Sequence, residues 1–325
     1  MKLITVLGAS GFVGSAVTRA LAQQPIRLRA VARRQFTLAP GQAETTVISA
    51  DLTDRAALAN AVKGSDAVVS LLLSDGGWRV AETEEAERVN VGVMRDLIDI
   101  IGSDSGTPPL IVYAGAASQA GVPPREPIDG SEPDNPATPY DQQKLAAELI
   151  LKKATADGLV RGISLRLPTV FGETTAEGAN HDRGVVSFMA RRAIDGQPLT
   201  VWGDGTVRRD LLHVEDVATA FTAALANPDS LVGGHWPLGA GRGDQLGEVF
   251  RLVADEVAEH TGQPPVDVTC VEPPSHAPEI DLRSVTIDST PFRALTGWRP
   301  EISLSEGVRR TVAALTTPVH GKARG

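Results

Sequence analysis

A chain of 325 residues, 42% of them hydrophobic, is long enough for a sizeable core as one large α/β unit or two coupled domains, which excludes a disordered polymer. The net charge of −9 excludes the basic surface that non-specific nucleic-acid binding needs, and leaves room for a small anionic ligand in a local positive pocket. The one cysteine, Cys270, cannot close an internal disulfide, no charged-then-apolar segment precedes the first predicted strand, and no apolar run approaches the roughly 20 residues that cross a bilayer. We therefore expect a cytoplasmic protein with neither a nucleic-acid nor a membrane partner.

In chain order, β-branched runs at 2–7, 28–32, 45–50 and 67–73 alternate with helical patterns at 11–22 and 54–62. That rhythm predicts a Rossmann-type α/β fold, a doubly wound parallel sheet with helices on both faces. Ala86, Val89, Val93, Leu97 and Ile100 recur at helical spacing before a strand at 110–114. Thr138 is placed to cap the next helix, with Pro139 at its first position and Asp141 in its first turn, and a strand follows at 162–167. Beyond Pro168 the spacing becomes irregular and rich in Gly and Pro. We assign 1–167 to a dinucleotide domain to which 210–232 returns, 168–209 and 233–317 to a smaller mixed substrate domain, and 318–325 to a flexible tail.

Gly8, Gly11 and Gly14 follow the first strand directly and open the first helix. Glycine lets a phosphate approach the backbone closely, and a helix N-terminus supplies N–H groups and partial positive charge, so a pyrophosphate fits there. A plain tight turn is the bland alternative. At the end of the second strand, where NAD binders place an acid for the ribose hydroxyls, this chain has Arg33 and Arg34. Guanidinium groups there suit a 2′-phosphate, so NADP(H) is the expected cofactor. Asp51, after the third strand, is placed either to accept from the adenine amino group or to cap the following helix.

Tyr140 and Lys144 stand four residues apart on one helical face. In the reductive direction the tyrosine would protonate a carbonyl oxygen as hydride arrives, and the lysine would hold the ribose and favour the phenolate.

These motifs make the chain resemble the extended short-chain dehydrogenase/reductases, the group of NDP-sugar epimerases, dehydratases and reductases. The likeness also takes in Asn90-Val-Gly-Val, Leu165-Arg-Leu-Pro-Thr-Val-Phe-Gly172, Arg209-Asp-Leu-Leu-His-Val-Glu-Asp216 and Thr296-Gly-Trp-Arg-Pro300. It implies cofactor contacts from Ser10, Phe12, Val13, Leu52, Leu71, Leu72, Asn90 and Leu167 beside the glycines, Arg33, Arg34, Asp51, Tyr140 and Lys144. More narrowly, Val-Ala-Arg-Arg34, Tyr-Asp-Gln-Gln-Lys144 and Gly-Thr-Val-Arg-Arg-Asp-Leu-Leu-His213 resemble the TDP-4-keto-6-deoxyhexose 4-ketoreductases of antibiotic sugar pathways. This implies reduction of a C4 ketone on a TDP-sugar, with Arg209 at the diphosphate, Trp202 near the base and Arg183 in a loop that shapes substrate choice. A surface ion pair and a core aromatic are the alternatives for Arg209 and Trp202.

One position departs from the family. Its active-site Ser or Thr falls at Ala116 here, so that hydroxyl is either displaced to Ser118 or missing. The Asp-Glu pair of related 4,6-dehydratases is replaced by Ala117 and Ser118, which disfavours dehydration. The competing readings are an NDP-sugar epimerase with tightly bound NAD and a non-catalytic NADP-binding regulator. By the same resemblance, helices at 84–101 and 140–157 imply a homodimer. His181 and His213 lack companions at metal-ligand spacing, so we expect no metal.

Overall fold

The computed structural model describes residues 1–102, 106–123, 125–174, 184–275, 277 and 279–317, with the side chains of Trp78 and Arg79 left aside. The first part alternates β1 (Leu3–Leu7), α1 (Phe12–Ala22), β2 (Arg27–Ala32), β3 (Glu44–Ser49), α2 (Arg55–Val62) and β4 (Ala67–Ser70). It continues through α3 (Glu84–Glu87), a π-turn at Arg88–Gly92, α4 (Val93–Ile101), β5 (Leu110–Ala116), α5 (Pro139–Ala156) and β6 (Arg161–Leu167). There follow β7 (Thr169–Phe171), α6 (Val185–Ile194), β8 (Leu199–Trp202), β9 (Arg208–Arg209), β10 (Leu211–His213), α7 (Val214–Ala226) and β11 (His235–Pro237). The chain then forms β12 (Asp244–Gln245), α8 (Leu246–Thr261), β13 (Val268–Val271), α9 (Thr290–Thr296) and α10 (Leu304–Thr316).

Seven strands make one parallel sheet in the order β3-β2-β1-β4-β5-β6-β11. Every residue of β1, β4 and β5 is buried, as expected of strands covered on both faces. One apolar cluster joins α1 and α7 to the sheet through Val17, Leu21, Val217 and Phe221, and the other joins α2, α4 and α5 through Leu58, Leu97, Ala147 and Leu151. The strand order reverses between β1 and β4, and ligands of such sheets bind in the crevice beyond the C-terminal strand ends at that switch.

Three expectations are corrected. β4 ends at Ser70, not Leu73, because the chain leaves the sheet there, although the Leu71 N–H still bonds to Leu7 O. The stripe from Ala86 to Ile100 does not keep one phase, since the π-turn inserts an extra residue per turn; Val91, Met94, Ile98 and Ile101 are buried instead of Val89 and Ile100. The segment 233–317 does not stay in the substrate region. β11 pairs with β6 and covers its edge, while Phe292 and Trp298 pack into the sheet's own core. The second region is built on α6, β8, α8 and α10 around Val186, Leu199, Phe250, Val253 and Val312.

Candidate active site

The glycine turn has no room for side chains. Gly8 has φ +86°, and its N–H and that of Ala9 both donate to Val31 O at 3.0 Å. A Cβ on Gly14 would lie 2.0 Å from Gly8 O, so only glycine lets α1 start this close to β1. Gly11 caps α1 with no side-chain partner, and the first turn holds no acid, so its N–H groups face the crevice uncovered by any side chain of the helix. Ser74, in the chain that leaves β4, buries a hydroxyl without a partner among the described residues at the same edge of the sheet. These features fit the pyrophosphate of a dinucleotide. Phe12 and Val13 pack on the core beneath, and Ser10, Leu71, Leu72 and Leu167 are partly buried.

Arg33 and Arg34 stand exposed just past β2, and Arg33 reaches Asp75 at 2.6 Å, beyond the end of β4. Because β1 lies between β2 and β4, this pair crosses the end of the strand that carries the glycine turn. Asp51 accepts from the Thr53 N–H at 2.9 Å and from Thr53 Oγ1 at 2.7 Å. Those bonds, joined by the charges of Arg33 and Arg88, hold its carboxyl below the usual range. It does not cap α2; Asp54 does, accepting from Ala56 and Ala57, while Leu52 is buried beneath.

Thr138 caps α5 as its sequence predicts, with Pro139 in the first turn. The helix leans on β5 so that Lys144, 5% exposed, donates to Ala114 O at 2.9 Å, its ammonium 5.1 Å from the Tyr113 ring centre and 6.0 Å from that of Tyr140. Burial pulls the Lys144 ammonium down to about 8. The phenol of Tyr140 does not move toward phenolate, contrary to expectation. Burial and then the neighbouring Asp141 push it above its ordinary value, while the lysine's proton is engaged by the Ala114 carbonyl. Tyr140 is therefore a phenol at neutral pH, the form a proton donor needs.

Asp141 does not point to solvent from the first turn. It is 2% exposed, and its carboxylate accepts from Ser118 Oγ at 2.5 Å and Thr138 Oγ1 at 2.7 Å. Ser118 stands in the 3-10 turn Ala117–Ala120 after β5, and among residues 116–120 it alone is not fully buried. Ala116 places a methyl group where the family hydroxyl is expected, and its N–H donates to Gln119 Oε1 at 2.7 Å.

Behind this turn lies a network that sequence reasoning missed. Gln119 Nε2 donates to Glu148, whose carboxylate also accepts from Ser164 Oγ, Lys152 Nζ and, with two bonds, Arg166. Arg166 reaches Asp134 at 2.7 Å with its other nitrogen. Burial would raise the Glu148 carboxyl, but the Arg166 bonds and charge, joined by Lys152, outweigh it and hold it at about 2. The available signal was spacing: Tyr140, Lys144 and Glu148 repeat every four residues on one helical face.

Other expected site residues are placed as follows. Asn90, in the π-turn, accepts from the Ser74 N–H at 3.0 Å and donates to Gln143 on α5 at 2.8 Å, so it ties the chain after β4 to the helix of Tyr140. Among the described residues Arg209 forms no ion pair; its guanidinium donates to the carbonyls of Arg208, Ile280, Asp281 and Arg283 and would have to exchange these for a diphosphate. Trp202 is not a core aromatic, being 36% exposed at the end of β8. Arg183 and His181 lie outside the described residues, as does the tail 318–325. His213 caps α7 and meets Glu173 at 3.1 Å, and among the described residues no three His, Cys, Asp or Glu come together as metal ligands. No helix of the described residues is long and apolar enough to cross a membrane.

A model of the NAD dependent epimerase/dehydratase family matches residues 4–239, which contain the seven-stranded sheet but for Leu3, the first residue of β1. The chain belongs to that family. The UDP-glucose 4-epimerase of Mycolicibacterium smegmatis is 29% identical over 209 residues, 64% of this chain and 62% of that protein, so the chain spans about three fifths of this relative's length. The dTDP-6-deoxy-L-talose 4-dehydrogenase (NAD(P)(+)) of Kitasatospora kifunensis is 26% identical over 330 residues, 97% of this chain and 96% of that protein. Among solved structures, MoeE5 in complex with UDP-glucuronic acid and NAD superposes with a TM-score of 0.79 at 26% identity, covering 97% and 99% of the two chains. The kinship is to epimerases and dehydrogenases of nucleotide sugars together, and not to 4-ketoreductases in particular.

Proposed function

We propose that this member of the epimerase/dehydratase family reduces the C4 ketone of a TDP-4-keto-6-deoxyhexose with NADPH. The observation that carries the reading is the pairing of a partly buried Tyr140 with a Lys144 anchored on the β5 carbonyl of Ala114. A reduced nicotinamide supplies hydride to the carbonyl carbon when bound. Tyr140 gives its phenolic proton to the carbonyl oxygen, so ketone, hydride and proton make the alcohol, and solvent reprotonates the phenolate. Lys144, charged below about pH 8, would hold the ribose hydroxyls. Gly8, Gly11 and Gly14 would take the pyrophosphate, and Arg33 and Arg34 the 2′-phosphate.

Support for C4 redox chemistry comes from the Kitasatospora kifunensis relative, whose name describes oxidation at C4 of a dTDP-6-deoxysugar. Ala117 and Ser118 supply neither acid nor base for dehydration. The Mycolicibacterium smegmatis relative, a UDP-glucose 4-epimerase, favours a second reading, epimerisation at C4, which in this chain would run with retained NAD.

The test is loss of nicotinamide absorbance with TDP-4-keto-6-deoxyhexoses, using NADPH and NADH in parallel. We expect turnover with an NADPH preference that Arg33→Ala reduces at least about tenfold, the scale of one lost charge-assisted contact. NAD recovered tightly bound to the pure protein, with no net NADPH consumption, would replace the reductase by the epimerase. We extend the proposal to a homodimer paired through α4 and α5, whose outer side exposes Leu149. A scattering mass of one chain at micromolar concentration would remove that extension.

A further inference from the structure

The hydroxyl of Ser118 has one proton, and the direction in which that proton points decides what the residue can do. Its oxygen lies 2.5 Å from Asp141 Oδ1. An ionised carboxylate only accepts, so the Ser118 O–H donates to it and presents lone pairs to anything on its other side. Thr138 Oγ1 donates to Asp141 Oδ2 at 2.7 Å, so each carboxylate oxygen already holds a hydroxyl. Asp141, which follows Tyr140 in the chain, is buried beneath the turn, whereas Ser118 keeps part of its surface open.

We propose that Asp141 is a positioning residue that turns Ser118 into a hydrogen-bond acceptor for a hydroxyl of the bound sugar, leaving Tyr140 to supply the proton to the carbonyl. Ser118 then does not replace the hydroxyl missing at Ala116. It reads a substrate donor beside the reacting carbon, which a sugar lacking that hydroxyl cannot offer. The same negative charge, one residue from Tyr140, helps to keep the phenol protonated.

The proposal requires Asp141 to be ionised at neutral pH. Burial is the larger effect and raises the carboxyl above its ordinary value, and the Ser118 and Thr138 bonds work against that rise. The charged and titratable groups around Tyr140 are Asp141 and Lys144 on α5, Tyr113 on β5, and, coupled to Asp141 from the 3-10 turn Glu279–Leu282, Asp281 with Arg209 beside it.

The chain has two tyrosines, Tyr113 and Tyr140, so ring-fluorinated tyrosine gives two fluorine NMR signals, and Tyr113→Phe leaves that of Tyr140. This readout needs no substrate, so it stands or falls apart from the reductase reading. We expect Asp141→Asn to move the Tyr140 titration down by about one pH unit, the effect of removing an adjacent like charge, and Asp141→Glu to restore it. An unchanged midpoint in a folded Asp141→Asn chain means the acid was neutral and overturns the proposal. If Asp141→Asn does not fold, the wild-type signal serves: a small step below pH 7 marks ionisation of Asp141, and the lack of any step below pH 7 overturns the proposal. The second arm rests on the reductase reading. Ser118→Ala should raise KM for the sugar about tenfold while kcat holds, the pattern of a lost acceptor contact. A fall in kcat with KM unchanged makes Ser118 a donor to the carbonyl and overturns it.

Discussion

Tyr140→Phe is expected to lower kcat by roughly 10²–10⁴-fold, the usual contribution of a positioned acid, with kcat/KM falling in parallel. The neighbouring donors explain why no other group takes over. Lys144 donates a hydrogen bond to the Ala114 carbonyl at 2.9 Å with its ammonium 6.0 Å from the Tyr140 ring centre, and the Ser118 hydroxyl is turned to Asp141. The phenyl ring preserves the packing, so the dinucleotide dissociation constant should change less than about threefold, a few tenths of a kcal/mol. Because burial and Asp141 push the phenol above its ordinary value, ketone reduction should hold its rate from neutral pH into the alkaline range before the acid is lost. A parallel loss of dinucleotide affinity in the variant would instead assign Tyr140 to cofactor binding alone.

The largest stability effect is expected at Glu148. Removing it by Glu148→Ala leaves the buried Arg166 with Asp134 as its remaining carboxylate partner, and takes an acceptor from Ser164, Lys152 and Gln119. Breaking a buried pair from one side costs roughly 3–5 kcal/mol, read as a lower urea midpoint at neutral pH. The folded pKa of about 2 lies below the ordinary 4.5, so this stabilisation is complete above about pH 4.5 and is lost as pH falls toward 2. The advantage of wild type over Glu148→Gln should therefore shrink through that window and stay constant above it. Since Gln119 links Glu148 to the Ala116 N–H, the variants should also slow turnover with no contact to substrate of their own. A Glu148→Ala chain as stable as wild type would mean that Arg166 finds another acceptor in the interior.

The parallel sheet was legible because strands buried on both faces are continuous apolar runs, and because Gly8, Gly11 and Gly14 mark the only kind of turn that brings α1 so close to β1. Thr138 and Pro139 announced α5 by local chemistry, a capping hydroxyl and a fixed φ. What could not be read was long-range. β11 is three residues long and carries a proline, so no periodicity distinguishes it from a loop until β6 offers an edge. Asp141 looks like any acid in a first turn until Ser118, 23 residues earlier, is folded against it. The same holds for Glu148 and Arg166, whose charges suggest solvent and whose pairing is visible only once α5 crosses β6. Lys144 was expected to favour the phenolate by proximity along the helix, and the Ala114 carbonyl that accepts its hydrogen bond comes from β5.

The most direct measurement is the fate of deuterium carried on the nicotinamide of NADPH during turnover of a TDP-4-keto-6-deoxyhexose. Reduction with Tyr140 as the acid places one deuterium on C4 of the product per NADP+ formed, and Tyr140→Phe stops the transfer while the variant still binds NADPH. Recovery of the keto sugar with no deuterium gained and no NADPH consumed, together with inversion at C4 of a 4-hydroxy nucleotide sugar by the same protein, would contradict the reductase and establish the epimerase in its place.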